Sequence, residues 1–425
     1  MNHNRALITR LVNKKKIIND PVYGFLTVPH PLLFDLLQHP YFQRLRRIKQ
    51  VGMTYQVYPG AMHSRYNHAL GAMHLMQQAI QQLRAKGHEI TEDEALGALA
   101  AILLHDVGHG PFSHALEYLF IDGVQHEEIS LRMMEHINAE MDGALETAIA
   151  IFTDKYPKHF LHQLVSSQLD MDRLDYLTRD SFFTGVSEGV VSWDRIIHML
   201  EVRNDRLVVE EKGVYSLEKF IVARRLMYWQ VYLHKTVLAA EFRIMQVMRR
   251  ARELAQKGVL LFGTPDLLYF LSEAPRRADF EQSDEVIKRF ARLDDHDVFS
   301  AIKVWANHSD PILAELCDGL IHRRLNRVYL QNEAFNPALL RQVAAAVRND
   351  HHLSEAELEY YVQSGTITND AYLPEKDKII VLCKDGSEKD VTDLSDNLNL
   401  KALSKTVVKY YLSIPKTYGH FMQSR

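Results

Sequence analysis

Apolar residues recur along most of this chain at the three- and four-residue spacing of amphipathic helices, and from Pro31 to about Leu200 that pattern is broken only by short loops. Three segments stand out. ALGAMHLMQQAIQQL (69–83) follows His68 with helical periodicity. LGALAAILLHDVGHGPFSH (96–114) is an apolar run of helical length that ends in His105-Asp106 and breaks at Gly108, Gly110 and Pro111. In SSQLDMDRLDYLTRD (166–180), Asp172, Tyr176 and Asp180 fall at i, i+4 and i+8 and share one helix face. Ahead of the first helix, NKKKIINDPVYGFLTV (13–28) mixes β-branched residues with an Asp-Pro turn and predicts a short β-ribbon.

Further along, RLVVEEKGVYSL (206–217) predicts a hairpin turning near Lys212-Gly213. Residues 216–258 predict one long helix rich in Tyr, Met and Trp, its apolar stripe being core or subunit interface. A break between Gly258 and Pro265 divides the chain into a region 1–258 and a C-terminal lobe 259–425. In that lobe helical patterns run to about residue 364, with Trp305 and the run HRRLNR (322–327), read as a solvated helix face. KIIVLCKDGSEKDVTDLSDNL (378–398) alternates and then turns at Asp385-Gly386, which predicts a small sheet, and VVKYYLSIPK closes with strand composition. The class is mainly α, with short β-ribbons and a small α+β C-terminal lobe; repeats and low-complexity segments are absent.

At 425 residues and 47% hydrophobic content the chain can bury a large core in two lobes. Its net charge of −4, with both signs interspersed, gives no surface for wrapping a polyanion, so nucleic acid is not an expected partner. Cys317 and Cys383 stand in no metal or redox spacing, which fits a reducing cytosol. The N-terminus lacks an apolar signal region, and no apolar stretch reaches the roughly 20 residues needed to cross a bilayer. A cytoplasmic protein without a membrane partner is the expectation. RLRRIK (44–49) is the main basic run and, taken alone, a solvated helix face.

Nine of the 22 histidines fall within residues 63–136, and His105, His109 and His114 crowd a segment that is otherwise small and apolar. Solvation does not explain that concentration, whereas His74, His88 and His136 read as ordinary packed or exposed helix residues. Adjacent side chains on a helix diverge by about 100°, so His105 and Asp106 can share an ion only if it lies between their directions. His68 and Asp172 can complete the ligand set. Mixed imidazole and carboxylate ligation suits manganese, iron or zinc, and magnesium less well, and it points to hydrolysis at phosphorus.

The segments INDPVYG (18–24), FQRLRRIKQVG (42–52), VYPGAMHSRYNHALG (57–71), LLHDVGHGPFSH (103–114), QHEEIS (125–130) and LDMDRLDYLTRD (169–180) resemble the metal-dependent HD-domain phosphohydrolases. Within that superfamily they resemble the deoxynucleoside triphosphate triphosphohydrolases. The likeness is dense from about residue 16 to 200, thinner to about 250 and faint beyond. It implies an HD-domain helical core with His68, His105, Asp106 and Asp172 as ligands of a divalent metal: manganese, magnesium or iron, with zinc also compatible. It implies Arg65, Arg224, Tyr176, Asp180 and Tyr232 near the triphosphate or sugar, and Gln50 with Val51 at the sugar edge. His109, His114 and His126 match catalytic histidines. Lys16, Asn19, Gln38, Gln43 and Arg46 match the neighbourhood of an activating-nucleotide site between subunits. A dimer or tetramer follows from the likeness, with the 216–258 stripe as interface and the basic run 44–49 turned toward nucleotide phosphates.

The implied reaction converts a dNTP and water to a deoxynucleoside and inorganic triphosphate. It requires an activated water, a clamp on the phosphate charge and a proton for the departing 5′-oxygen. Arg65 suits the clamp because its planar fork binds phosphate oxygens in pairs. His114 is the preferred proton donor, with Glu117 three residues on to orient it. Five positions depart from the family pattern: Gln38 replaces an acidic residue that reads guanine, Glu117 replaces Asp, and Phe182-Phe183 and Tyr228 replace histidines. Gln38 argues against strict activation by GTP, and the aromatic replacements point to a different base preference over the same phosphate chemistry. Two other readings stay open. One is a different HD phosphohydrolase acting on nucleoside monophosphates, alarmones or nucleic-acid ends, against which Arg65, Arg224, Tyr176 and Asp180 argue. The other is a non-catalytic nucleotide sensor, against which the complete set of ligands and histidines argues.

Overall fold

The computed structural model describes residues 16–375, 377–395 and 405–422, apart from the side chain of His114. As the periodicity predicts, helices dominate, and three of them carry the site. The Arg65–Ala85 helix starts at a reciprocal cap between Ser64 and Asn67, the Glu92–Leu104 helix at one between Thr91 and Glu94. The Met171–Thr184 helix starts where Asp170 accepts the N–H of Arg173 at 2.7 Å. In the Glu92–Leu104 helix every residue from Gly97 to Leu104 is buried, so it runs through the core with no solvent face. Each buried Leu or Ile there contributes about 2 kcal/mol of hydrophobic stabilisation. The helix stops at His105, and its C-terminal end therefore presents the His-Asp pair from inside the protein.

Close approach fixes how these helices meet. A Cβ on Gly71 would lie 1.9 Å from Asp175 Oδ1 and 2.2 Å from the Arg179 guanidinium, so only glycine lets the Arg65–Ala85 and Met171–Thr184 helices cross here. The predicted ribbon forms from antiparallel β1 (Lys16–Asp20) and β2 (Gly24–Val28), and Asp20 Oδ1 caps its turn by accepting the N–H groups of Val22 and Tyr23.

Several expectations are corrected. The hairpin joins β3 (Leu200–Arg203) to β4 (Arg206–Glu210) through Asn204-Asp205, both at positive φ, 51° and 60°. A two-residue turn that follows the strand twist needs left-handed backbone, which Asn and Asp tolerate; Lys212-Gly213 instead leads into the Val214–Met227 helix. Residues 216–258 are not one helix: a π-helical segment, Tyr228–Tyr232, and a break at Leu233-His234 precede the Lys235–Gln256 helix. The apolar stripe of that last helix (Val237, Ala240, Ile244, Val247, Met248, Ala251) is buried within this single chain, so it is core rather than subunit interface. HRRLNR is not a helix face either. The Pro311–Ile321 helix ends before it, Arg323 adopts φ 56°, and the chain turns into β5 (Arg327–Gln331). β6 (Gln363–Asn369) also begins where helix was expected.

The predicted small sheet is present as β7 (Ile380–Leu382) and β8 (Glu388–Asp390), and the closing strand as β9 (Val407–Ile414). β5, β9 and β6 form one antiparallel sheet. β7, however, pairs in parallel with β4, giving the order β3-β4-β7-β8 across the boundary expected at residue 258. One hydrophobic core runs from Leu26 to Tyr418.

The basic run 44–49 is structural. Arg44 is 1% exposed and donates to the carbonyls of Leu293 (2.8 Å), Val107 (3.0 Å) and His109 (2.6 Å). Arg47 pairs with Asp294, and Lys49 lies 3.4 Å from Asp295, whose other oxygen accepts the N–H of Phe112 at 2.9 Å. These side chains hold the segment after His105-Asp106 against residues 293–295. Arg44→Met is expected to lower unfolding stability by about 3 kcal/mol, at ~1 kcal/mol per orphaned buried carbonyl. An unchanged denaturation midpoint would contradict this account.

Candidate metal centre and active site

His68 lies in the first turn of the Arg65–Ala85 helix, His105 and Asp106 at the end of the Glu92–Leu104 helix, and Asp172 in the first turn of the Met171–Thr184 helix. Their polar atoms converge. His68 Nε2 is 3.1 Å and His105 Nε2 3.5 Å from Asp172 Oδ1. Asp106 closes the group at 3.4 Å from His105 Nε2 and 3.7 Å from His68 Nε2. Both Nε2 atoms are buried and have no hydrogen-bond partner of acceptable geometry. The two orphaned imidazole nitrogens and the Asp172 carboxylate lie close enough to hold one divalent cation, with Asp106 beside them at 3.4 Å from His105 and 3.7 Å from His68.

The opposite edges of both rings are fixed. His105 Nδ1 donates to Ile102 O at 2.6 Å, and His68 Nδ1 to Asp175 Oδ2 at 2.8 Å, which leaves each Nε2 as the nitrogen that would present a lone pair to a cation once its proton is lost. Asp175 in turn holds Arg179 at 2.9 and 3.0 Å, and Arg179 reaches Asp20 of the ribbon at 2.7 Å. Burial opposes charge on His68, but Asp172 and Asp175 outweigh it and push its pKa up to about 10. His105 is raised in the same way by Asp106 and Asp172 against burial. Asp106 and Asp172 sit below the ordinary carboxylate range, because their histidine and arginine neighbours overcome the cost of burial. The neighbouring charges thus favour the charged forms of both imidazoles and both carboxylates.

A cavity of about 380 Å³ opens from this centre. Arg65 pairs with Asp106 and donates to Ser113 Oγ at 2.9 Å. Phe112 and Ser113 carry positive φ, 54° and 52°, so the turn that supplies this hydroxyl is held in left-handed backbone. His109 Nε2 is 3.3 Å from Asp106, and burial together with Arg65 holds it neutral, well below the ordinary histidine range. His126 stacks on His109 with ring centres 3.8 Å apart. Glu117, expected to orient His114, accepts from His126 Nδ1 at 2.5 Å and from its backbone N–H at 3.1 Å. The side chain of His114 lies outside the described residues.

Gln50, Val51, Tyr176, Asp180 and Tyr232 all line the same cavity. Gln50 Oε1 and the Tyr176 hydroxyl are buried and unpartnered, while Asp180 accepts from Tyr232 at 2.6 Å and from His63 at 2.7 Å. The Arg224 guanidinium donates to Gln168 at 3.1 Å and lies near enough to Tyr176 to act on its hydroxyl, while Arg173 lines the cavity itself. Lys16, Asn19, Gln38 and Arg46 are exposed. Gln43 joins Leu37 O (2.6 Å) and Arg46 (2.9 Å), and the Arg46 guanidinium covers Tyr66. These five residues are outside the cavity lining.

Sequence reasoning missed Asp175, His63, Arg173, Ser113 and Glu241. Asp175 was within reach, since its i+4 pairing with Arg179 on a buried helix face asks for a third charge. His63 and Arg173 flank recognised ligands, whereas Ser113 and Glu241 reach the cavity only through tertiary folding.

A helical fold that gathers two histidines, two aspartates and an arginine around one buried point, beside an open cavity, defines a metal-centred hydrolase of phosphate esters. Residues 65–180 match the HD domain model and 191–259 the HD associated region. A crystal structure of a phosphohydrolase from Bacteroides thetaiotaomicron superposes with a TM-score of 0.91 at 50% identity, covering 94% of this chain and 100% of that one. Uncharacterized protein YwfO of Bacillus subtilis is 33% identical over 77% of this chain and 73% of its own length. The chain belongs to the HD-domain phosphohydrolases, a family that binds divalent metals. The deoxynucleoside triphosphate triphosphohydrolase SAMHD1 homolog of Dictyostelium discoideum is 32% identical over 64% of this chain and 58% of its own length. Among the described residues no helix is long and apolar enough to cross a membrane.

Two outcomes follow. Asp175→Asn removes the charge that sets the His68 tautomer and is expected to weaken metal affinity about 10–100-fold in a metal titration; equal affinity would contradict the relay. Metal loading at pH 8 is expected to release protons. The His68 pKa is raised to about 10, so the group is protonated there, and it must be neutral to ligate. Apparent affinity should therefore climb as pH rises toward that value, which a pH-stat titration reads directly.

Proposed function

We propose that this protein hydrolyses dNTPs at the α-phosphorus, releasing a deoxynucleoside and inorganic triphosphate. The observation that carries the reading is that a single cavity joins the His/Asp centre to unpartnered polar atoms on Gln50 and Tyr176 and to the Asp180–Tyr232 pair. A site for phosphate alone would need only the centre and its cations. Here the space continues into neutral acceptors and hydroxyls suited to a deoxyribose, with Tyr176 and Tyr232 stacked edge to face around it. The relatives named as deoxynucleoside triphosphate triphosphohydrolases support the same substrate class.

His68, His105, Asp106 and Asp172 would hold the metal, which when bound supplies Lewis acidity at a phosphoryl oxygen and lowers the pKa of water. Arg65, already aimed along Asp106, would meet the charge that builds on the phosphoryl group, and Arg173 would meet the triphosphate tail. His109, held neutral, can accept a proton or a hydrogen bond. His126 and Glu117 form a hydrogen-bonded acid pair able to carry the proton due to the 5′-oxygen, with His114 three residues before Glu117 in the sequence.

The test is a product assay with manganese or magnesium and each dNTP alone and all four mixed, resolved by anion-exchange chromatography. Triphosphate plus deoxynucleoside is the expected result; release of pyrophosphate or orthophosphate would overturn it. Activity appearing only in the mixture would identify nucleotide activation. Asp106→Ala is expected to lose both metal and turnover. Arg65→Ala should keep the metal and slow the reaction about 100-fold.

A further inference from the structure

Once the metal centre, the cations and the sugar contacts are assigned, one ionisable side chain of the cavity has no task. Glu241, on the Lys235–Gln256 helix, lines the cavity and is half-buried. Among the described residues it makes no hydrogen bond and no ion pair. Its Oε1 lies 3.9 Å from where a Cβ on Gly52 would stand, which sets the carboxyl group beside the segment Val51–Thr54 that follows Gln50. Gly52 has φ +47°, and a Cβ there would also press on Phe112 O at 3.3 Å, so backbone and carboxyl group share a narrow space.

Burial pushes the Glu241 pKa up to about 8. The carboxyl group stands beside Gly52, in the stretch of lining whose Gln50 end would meet the sugar. An unpaired carboxyl group in a poorly hydrated space is costly unless a ligand supplies its partner. Resting on the dNTP reading above, the partner there is the part of the nucleotide beyond the sugar.

We propose that Glu241 is the base-selecting residue of this site, accepting an N–H from the edge of the nucleobase and favouring bases that carry an exocyclic amino group over thymine. A carboxyl group offers an acceptor oxygen in either protonation state, and glutamate accepts from base amino groups in other settings. An amino group only donates. Thymine instead places its one ring N–H between two carbonyl oxygens, so one acceptor is set against another.

The test compares kcat/KM for dATP, dCTP, dGTP and dTTP in the metal-loaded wild type, Glu241→Gln and Glu241→Leu, with metal content and thermal midpoint measured on each. The expected result is a wild type that favours the amino-bearing bases over dTTP roughly tenfold. Glu241→Leu should bring the four values together by lowering the amino-bearing ones, with the metal retained, and Glu241→Gln, which keeps one acceptor, should fall between. The proposal is overturned if the wild type shows no such preference, if the four values fall in step, or if the ranking survives in Glu241→Leu. A wild type that releases no triphosphate from any dNTP would defeat the proposed function instead. Equilibrium binding of the same four nucleotides to wild type and Glu241→Leu then decides the residue's part by the same criterion.

Discussion

The contact between Asp175 and His68 is the one on which the rest of the centre depends. A histidine can face a cation with Nε2 only if something holds the proton on Nδ1, and Asp175 does so from 0% exposure. A buried carboxylate cannot stand alone, so Arg179 neutralises it, and Asp20 shares that guanidinium with the ribbon at the start of the described chain. The sequence of charges Asp20, Arg179, Asp175, His68 thus ties a β-turn, two helices and a metal ligand into one unit. Gly71 is the steric condition for it: a methyl group there would occupy the space of the Asp175 carboxylate.

The cavity opens from that anchor. Charge is concentrated at the centre, where Asp106 meets both an imidazole and the Arg65 guanidinium. The same cavity is also lined by neutral hydroxyls and an amide, on Tyr176, Tyr232 and Gln50, and by the carboxyl group of Glu241. The turn at Phe112-Ser113 touches two parts of the lining: Ser113 carries Arg65, while the Phe112 carbonyl lies against Gly52.

The helical core, the ribbon and the four-residue centre could be read from the sequence because each rests on local signals: period, Gly-Pro punctuation, and His and Asp at helix ends. The boundaries that went astray did so where tertiary context decided. The apolar face of the Lys235–Gln256 helix has the same pattern whether a partner subunit or the chain's own Pro311–Ile321 helix covers it. The run 44–49 reads as an anion-binding surface until Arg44 is seen satisfying three carbonyls, two of them in the turn that follows the metal ligands. That Arg173 lines the cavity is likewise invisible to spacing.

The parallel pairing of β4 with β7 carries a kinetic meaning. Val209 finds its partner in Val381, and the turn beside the metal ligands finds Leu293 and Asp295, so these closures wait until most of the chain exists. Contacts so distant in sequence carry a high loop-closure entropy before they return any energy, and they place the rate-limiting step late. While the ribosome is still at work, β4 offers an unpaired edge and the catalytic turn lacks its clamp. The turn beside the His/Asp centre therefore gains its clamp only once residues 293–295 have been made, long after the helices that bear that centre.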